Sequence, residues 1–241
     1  MMSTSGRFSG QVALVTGGTG GLGKAVSLAF LHEGASVIAT YIHKGEADAL
    51  KDSVGPNAPL ELLPLDATDE AATSSLVSGI TARHGRLDVL VNAIGGYAGG
   101  KSLWEIETRT YQLMLALNLH AGHALARAVV PAMLRQKSGA IVNIAAKAAF
   151  DHAAGAAAYA ASKSATLALF DCLAQDLKGS GVRANSVLPS IIDTEANRKA
   201  MPAADFSKWP KPEEIAQVIL FLCSKEAAVI HGAAIPVYGQ S

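Results

Sequence analysis

Gln11-Val12-Ala13-Leu14-Val15-Thr16-Gly17-Gly18-Thr19-Gly20-Gly21-Leu22-Gly23 is the stretch that decides the fold. An apolar run of strand length, Gln11 to Thr16, meets a glycine-rich turn. Lys24 to His32 then shows helical periodicity and Gly34 ends it. Glycines at such a junction permit positive φ and close backbone approach. The N–H groups at the positive end of the following helix attract a phosphate. A tight turn also explains a glycine cluster, so its place after the first strand is what points to a dinucleotide site.

The same alternation continues along the chain. Further strands are read at Ala35–Tyr41, Leu60–Leu65, Leu87–Asn92, Ala140–Ala145, Val182–Leu188 and Ala234–Val237. Helices fall between them at Gly45–Ser53, Asp69–His84, Thr110–Gln136, the run after Ala156, and Glu213–Leu222. Thr68 is the expected N-cap and Gly85 the expected C-terminal stop of the Asp69 helix. Pro131 is expected to bend the long helix, and a short helix is expected near Ala196–Ala200. The strands are continuous apolar runs, as in a sheet covered on both faces. This predicts an α/β architecture in one domain over residues 1–241: a doubly wound parallel sheet of about seven strands between helices.

Composition narrows the function. The 241 residues are half hydrophobic and carry zero formal net charge, with charges dispersed. No nucleic-acid partner and no membrane partner is expected. Cys172 and Cys223 show neither metal nor disulfide spacing, so no metal is expected and a reducing cytoplasm fits. Met1 to Gly10 is short and polar, without an apolar signal core. Thr110 to Ala126 lacks formal charge but holds Gln112, Asn118, His120 and His123, which a bilayer tolerates poorly. The expectation is a soluble cytoplasmic protein.

Tyr159 and Lys163 lie in an Ala-rich run without proline. Residues four apart share a helix face. A phenol titrates near ~10, and an adjacent ammonium lowers that value. The pair therefore reads as a proton donor or acceptor tuned toward neutrality, or as a surface Tyr and a solvated Lys.

An acid usually ends the second strand of a dinucleotide fold to accept from the ribose hydroxyls. Here the strand ends Thr40-Tyr41-Ile42-His43-Lys44. Lys44 and His43 would attract a 2′-phosphate, which favours NADP(H) with NAD(H) as the alternative; an ordinary solvated loop fits them equally. Asp66 would accept from the adenine amino group or cap the next helix.

These residues together resemble the short-chain dehydrogenase/reductase family over essentially the whole chain, which implies a Rossmann-type fold. Thr16-Gly17-x-x-x-Gly21-x-Gly23 resembles its glycine motif, with Thr19 and Leu22 inside it. Asp66-Ala67 matches its adenine contact, and Asn92-Ala93-Ile94-Gly95 matches its Asn-Asn-Ala-Gly motif at Asn92 and Gly95. Asn118 stands where the family has a catalytic Asn that would hold a proton-relaying water, and Tyr159 and Lys163 match its Tyr-x-x-x-Lys. In that family the Lys binds the nicotinamide ribose. Pro189, Ile192 and Thr194 resemble the segment that holds the nicotinamide, with Ser190 replacing Gly. The resemblance implies a small-molecule substrate and a homodimer or homotetramer, built through the long helix and the Tyr159 helix.

Ala146 stands where the family places a catalytic Ser. Quinonoid dihydropteridine reductases share that feature. They are similar in Ala145-Ala146-Lys147-Ala148-Ala149, in the loop Gly95 to Gly100 around Tyr97, and in the segment from Asp193 to Trp209 with Met201 and Phe206. They differ in having an acid where Tyr41 stands and in generally lacking Asn118. This resemblance implies hydride transfer to a conjugated heterocycle such as a quinonoid dihydropteridine. Ala146, Lys147, Tyr97, Met201 and Trp209 would then line the substrate site under a covering loop at about residues 191–212. The alternatives are an NADPH-dependent carbonyl or 3-oxoacyl reductase, and a catalytically inactive cofactor-binding sensor.

Overall fold

Strand β1 (Val12–Thr16) pairs with β2 (Ser36–Tyr41) on one side and β4 (Val89–Asn92) on the other. Strands β3 (Leu60–Pro64), β5 (Gly139–Ile144), β6 (Val182–Pro189) and β7 (Ala234–Val237) complete one sheet of order β3-β2-β1-β4-β5-β6-β7, parallel throughout. This is a Rossmann-type α/β fold, seen in a computed structural model that describes residues 6–241. The first five residues of the Met1–Gly10 segment lie outside that range.

Alternation along the strands sends side chains to two faces. Ala13 and Val15 of β1 face a cluster built with Val26 and Phe30 of α1 (Gly21–His32) and Ile215 and Ile219 of α8 (Pro212–Cys223). Val12 and Leu14 face the opposite cluster. Val77 and Ile80 of α3 (Glu70–His84), Leu125 and Met133 of α5 (Ala121–Gln136) and Phe170 of α6 (Ala157–Asp176) fill it. Both faces are therefore dry, which is why the strands read as apolar runs. The remaining helices are α2 (Lys44–Asp52), α4 (Thr108–Leu115) and the short α7 (Glu195–Ala200).

Three details depart from expectation. The long helix spans Thr108–Gln136, but a π turn at Ala116–His120 interrupts it between α4 and α5. The break in regular geometry thus falls at Asn118, while Pro131 sits inside α5. This helix is long and apolar enough to cross a membrane, a test that a core helix also passes. Buried Leu125, Val129 and Met133 instead make it a core helix against the sheet. Finally, Asp69 rather than Thr68 caps α3: its carboxylate accepts from the Ala72 N–H at 3.0 Å. Gly85 ends α3 at φ 70°, as expected.

Parallel pairing gathers all seven carboxyl ends at one edge. The chain leaves β1 in one direction for β2 and β3 and in the other for β4 to β7, so a crevice opens beyond β1 and β4.

Asp69→Ala should cost about 0.5–2 kcal/mol of folding stability. Thr68→Ala should leave the α3 cap intact. Urea melts of both variants check this, and equal losses would contradict the cap assignment.

Candidate active site

The crevice begins at the glycine turn. The N–H of Gly17 donates to Thr40 Oγ1 at 3.1 Å, and that of Gly18 donates to the Thr40 carbonyl at 2.9 Å. The turn is thereby pinned to the end of β2. Gly17 holds φ 66°, a conformation side chains resist. A Cβ on Gly23 would stand 2.0 Å from the Gly17 carbonyl oxygen, so only glycine lets α1 start this close to β1. No side chain caps α1 and no acid sits in its first turn. Its first N–H groups have no helical acceptor, which suits a pyrophosphate. Among the glycines singled out, Gly21 packs on Thr194: a Cβ there would meet Thr194 Cγ2 at 2.7 Å. The segment after β6 therefore closes over the turn.

A cleft of about 260 Å³ runs from this turn along the carboxyl ends of β2, β3 and β4. Gly17, Thr19, Tyr41, His43, Asp66, Ala67, Ala93 and Gly95 line it. Asp66 Oδ1 accepts from the Thr68 N–H at 2.9 Å and the Thr68 hydroxyl at 2.7 Å, and those bonds hold its carboxyl below the usual range. It therefore shapes the wall as an anion with its second oxygen available. Lys44 is a correction. It begins α2 and does not line the cleft, so of the two basic residues expected to attract a 2′-phosphate only His43 does. Glu46 lines the cleft instead, and the sequence reading missed it.

The reacting end lies beyond β4 and β5. Lys163 is 5% exposed and its Nζ donates to the Ile144 carbonyl at 2.8 Å. Burial pushes its ammonium down to about 8. Tyr159 moves the other way: burial, with a smaller contribution from Tyr97, pushes its phenol up to about 12. The expected lowering of the phenol by Lys163 is thus corrected. Loss of water dominates at Tyr159, and the ammonium is directed to a backbone carbonyl.

Asn118 ties its amide into the structure. Oδ1 accepts from the Gly96 N–H at 2.9 Å, while Nδ2 donates to the Gly96 carbonyl at 3.0 Å and to Ser162 Oγ at 2.9 Å. Ser162 Oγ in turn donates to the Tyr159 carbonyl at 2.7 Å. Both amide hydrogens are thus committed, which leaves the second lone pair of Oδ1 as the point at which this side chain could meet the relay water the resemblance implies. Ser162 is a second residue missed from sequence, being an unremarked polar side chain inside the Ala-rich run.

Beneath the site, Thr16, Asn92, Asn143 and Ser186 occupy matching positions on β1, β4, β5 and β6. Asn92 Nδ2 donates to Asn143 Oδ1 at 3.0 Å. The other end of this row keeps two buried polar atoms without partners, Asn143 Nδ2 and Ser186 Oγ.

The expected substrate residues separate into two groups. Ala146 is buried and extended at the end of β5. Tyr97 is exposed, with its ring edge-on to Tyr159 at 5.0 Å between centroids. Met201 is half exposed. Lys147 points toward Asp151 at 3.5 Å and the Tyr238 ring at 5.5 Å. Trp209 is only 7% exposed and packs on Phe206, so it holds the covering segment together rather than offering a face to substrate. Pro189 ends β6, and Ile192 O accepts from Asn197 Nδ2 at 2.8 Å, so the Ile192–Thr194 backbone is braced by α7. Among the described residues no cluster of three or more His, Cys, Asp or Glu is placed to hold a metal.

A bare helix N-terminus over a glycine turn, a cleft at the switch point, a half-buried Tyr and a buried Lys fit a nucleotide-dependent oxidoreductase fold. Comparison with known proteins agrees. The family model for short chain dehydrogenases matches residues 11–205. 3-Oxoacyl-[acyl-carrier-protein] reductase FabG of Thermotoga maritima is 34% identical, covering 97% of this chain and 98% of that protein. D-Threitol dehydrogenase of Mycolicibacterium smegmatis is 33% identical, covering 97% and 93%. The structure described as ElxO with NADP bound superposes with a TM-score of 0.89 at 26% identity, covering 95% and 97%. The chain belongs to the short-chain dehydrogenase/reductase family and is an NAD(P)-dependent oxidoreductase.

Lys163→Met should stabilise the cofactor-free protein near neutral pH. The lysine's folded value of about 8 lies below its ordinary 10.5. Between them the unfolded chain binds the proton more tightly, so stability rises with pH across that window. The penalty is full below about pH 8 and gone above about 10.5. Removing the ammonium should therefore gain about 1–3 kcal/mol near pH 7 and little near pH 10. Thermal unfolding at both values checks this; a gain that ignores pH would contradict it.

Proposed function

We propose that this protein interconverts a carbonyl and a secondary alcohol on a small molecule. The supporting observation is the Tyr159 phenol, largely withdrawn from water and protonated through neutral pH, on the same helix as Lys163, whose Nζ lies beside the cleft-lining Gly95. The bare start of α1, Gly21 against Thr194, and Asp66 fit a nicotinamide dinucleotide, which supplies or accepts the hydride when bound.

In the reducing direction the Tyr159 O–H protonates the oxygen that becomes the hydroxyl. A donor with so high a pKa favours this direction near neutrality, and the reverse needs alkaline conditions. Lys163, held at the Ile144 carbonyl, would bind the ribose next to the reacting carbon and, where charged, restrain the phenol's rise. Asn118 positions Tyr159 through Ser162 and fixes the Gly96 loop opposite.

The names of the relatives support a carbonyl or alcohol substrate, with a 3-oxoacyl reductase as one form of it. A quinonoid dihydropteridine, the first reading of the sequence, finds no such support. One observation keeps it as the second reading: Ala146 offers no hydroxyl to a forming alkoxide, and a conjugated acceptor needs that donor less. Exposed Tyr111 and Leu113 on α4 support the homo-oligomer that the family resemblance implies.

Tyr159→Phe should lower kcat by about 10²–10⁴-fold while cofactor binding changes little. Ala146→Ser should raise ketone reduction substantially, because one donor to a forming oxyanion is worth about 10²–10³ in rate. Steady-state assays of both variants on ketones, a 3-oxoacyl thioester and quinonoid dihydropterin decide between the readings. Pterin turnover that outstrips every ketone and ignores Ala146→Ser would favour the second.

A further inference from the structure

The strand end that should carry a ribose-binding acid carries Tyr41, yet the cleft is not without a carboxylate. Glu46 reaches into it from the first turn of α2. Its Oε2 accepts from the Thr19 hydroxyl at 3.0 Å. Thr19 belongs to the glycine turn and is only 7% exposed, so one end of this bond is fixed. The carboxylate is thereby held between the turn that fits a pyrophosphate and the wall formed by Tyr41 and Asp66. Its other oxygen, Oε1, accepts no hydrogen bond from the described residues, and Glu46 forms no ion pair among them. No Lys or Arg side chain lines the cleft there. The nearest candidate in sequence, Lys44, lies outside it, leaving His43 as the one basic side chain in the lining.

We infer that Glu46 selects the cofactor: its carboxylate accepts from the 2′-hydroxyl of the adenosine ribose and repels a 2′-phosphate, so the protein takes NAD(H) over NADP(H). This rests on the nucleotide reading of the cleft. A ribose hydroxyl is a donor and completes the acceptor capacity of Oε1. A phosphate in its place brings nearly two negative charges beside a carboxylate, with no Lys or Arg in the lining and His43 the one basic side chain there to offset them. The discriminating acid thus comes from the helix after β2 rather than from the strand end. Thr19 makes the placement more than a chance rotamer, because an exposed glutamate otherwise samples many.

The test is equilibrium binding to the cofactor-free protein. NADH and NADPH are titrated by nicotinamide fluorescence. Adenosine 5′-monophosphate and adenosine 2′,5′-bisphosphate are titrated by calorimetry, so that the adenosine end is read without any turnover. Wild type should bind NADH about tenfold or more tighter than NADPH, and the two fragments should follow. Glu46→Gln keeps an oxygen for Thr19 and removes the charge. It should narrow the NADH/NADPH ratio by about tenfold, chiefly by tightening NADPH. Lys44→Ala should leave the ratio unchanged. Preference of the wild type for NADPH, an unchanged ratio in Glu46→Gln, or a Lys44→Ala that selectively weakens NADPH would each overturn the assignment. Failure of either dinucleotide to bind at all would instead remove the nucleotide reading of the cleft, and the assignment with it.

Discussion

One amide holds the reacting end of this fold together. Asn118 bonds to both backbone groups of Gly96 and to Ser162, so it ties the loop after β4, the π turn and α6 at a single point. An α-helix would not aim the side chain this way without disturbance. The π turn at Ala116–His120 is the local irregularity that accommodates it. The arrangement is also crowded: a Cβ on Gly95 would stand 2.8 Å from Asn118 Oδ1 and 3.1 Å from Lys163 Nζ. Glycine at position 95 is thus a packing requirement of the site. A buried amide with every hydrogen satisfied is rigid, because releasing any one bond leaves a desolvated group unpaired.

The fold was largely legible because the sheet is buried on both sides. Apolar runs at Val12–Thr16 and Val89–Asn92 mark strands without help from tertiary context, and the glycine turn announces its helix. Tyr159, Lys163 and Asp66 were found through motif spacing, which the backbone preserves. What escaped reading depends on direction rather than position. Sequence spacing puts Thr68 and Asp69 equally well at the start of α3; only the side-chain orientation makes Asp69 the cap. Likewise, Lys44 and Glu46 are near neighbours in a surface helix, and the helical turn alone decides which one enters the cleft. The Tyr159–Lys163 pair misled in another way. Adjacency on a helix suggested mutual tuning, whereas burial acts on each group separately and drives their titrations in opposite directions.

Ala146 makes sense only beside those two groups. A phenol already withdrawn from water gives up its proton reluctantly, and a site without a second hydroxyl relies on that one donor. The buried polar row below, with Asn143 Nδ2 and Ser186 Oγ unpartnered, shows that polar groups are kept at this edge even where the chain offers them no mate. Such atoms are costly without water or ligand.

The substrate side is shaped by the chain's end. Ser190 stands where the resembled family has Gly; its hydroxyl donates to the Tyr238 carbonyl at 2.7 Å and accepts from Ser241 Oγ at 2.7 Å. This fastens the C-terminal segment so that the Tyr238 ring sits under Lys147. Asp193, itself 7% exposed in its side chain, holds Arg198 through two oxygens, and the guanidinium covers Phe206. The exposed pairs nearby, Lys101 with Glu107 and Lys199 with Glu195, are screened by solvent and hold their partners weakly. Arg198 is held more firmly, because its guanidinium meets one carboxylate with two charge-assisted bonds.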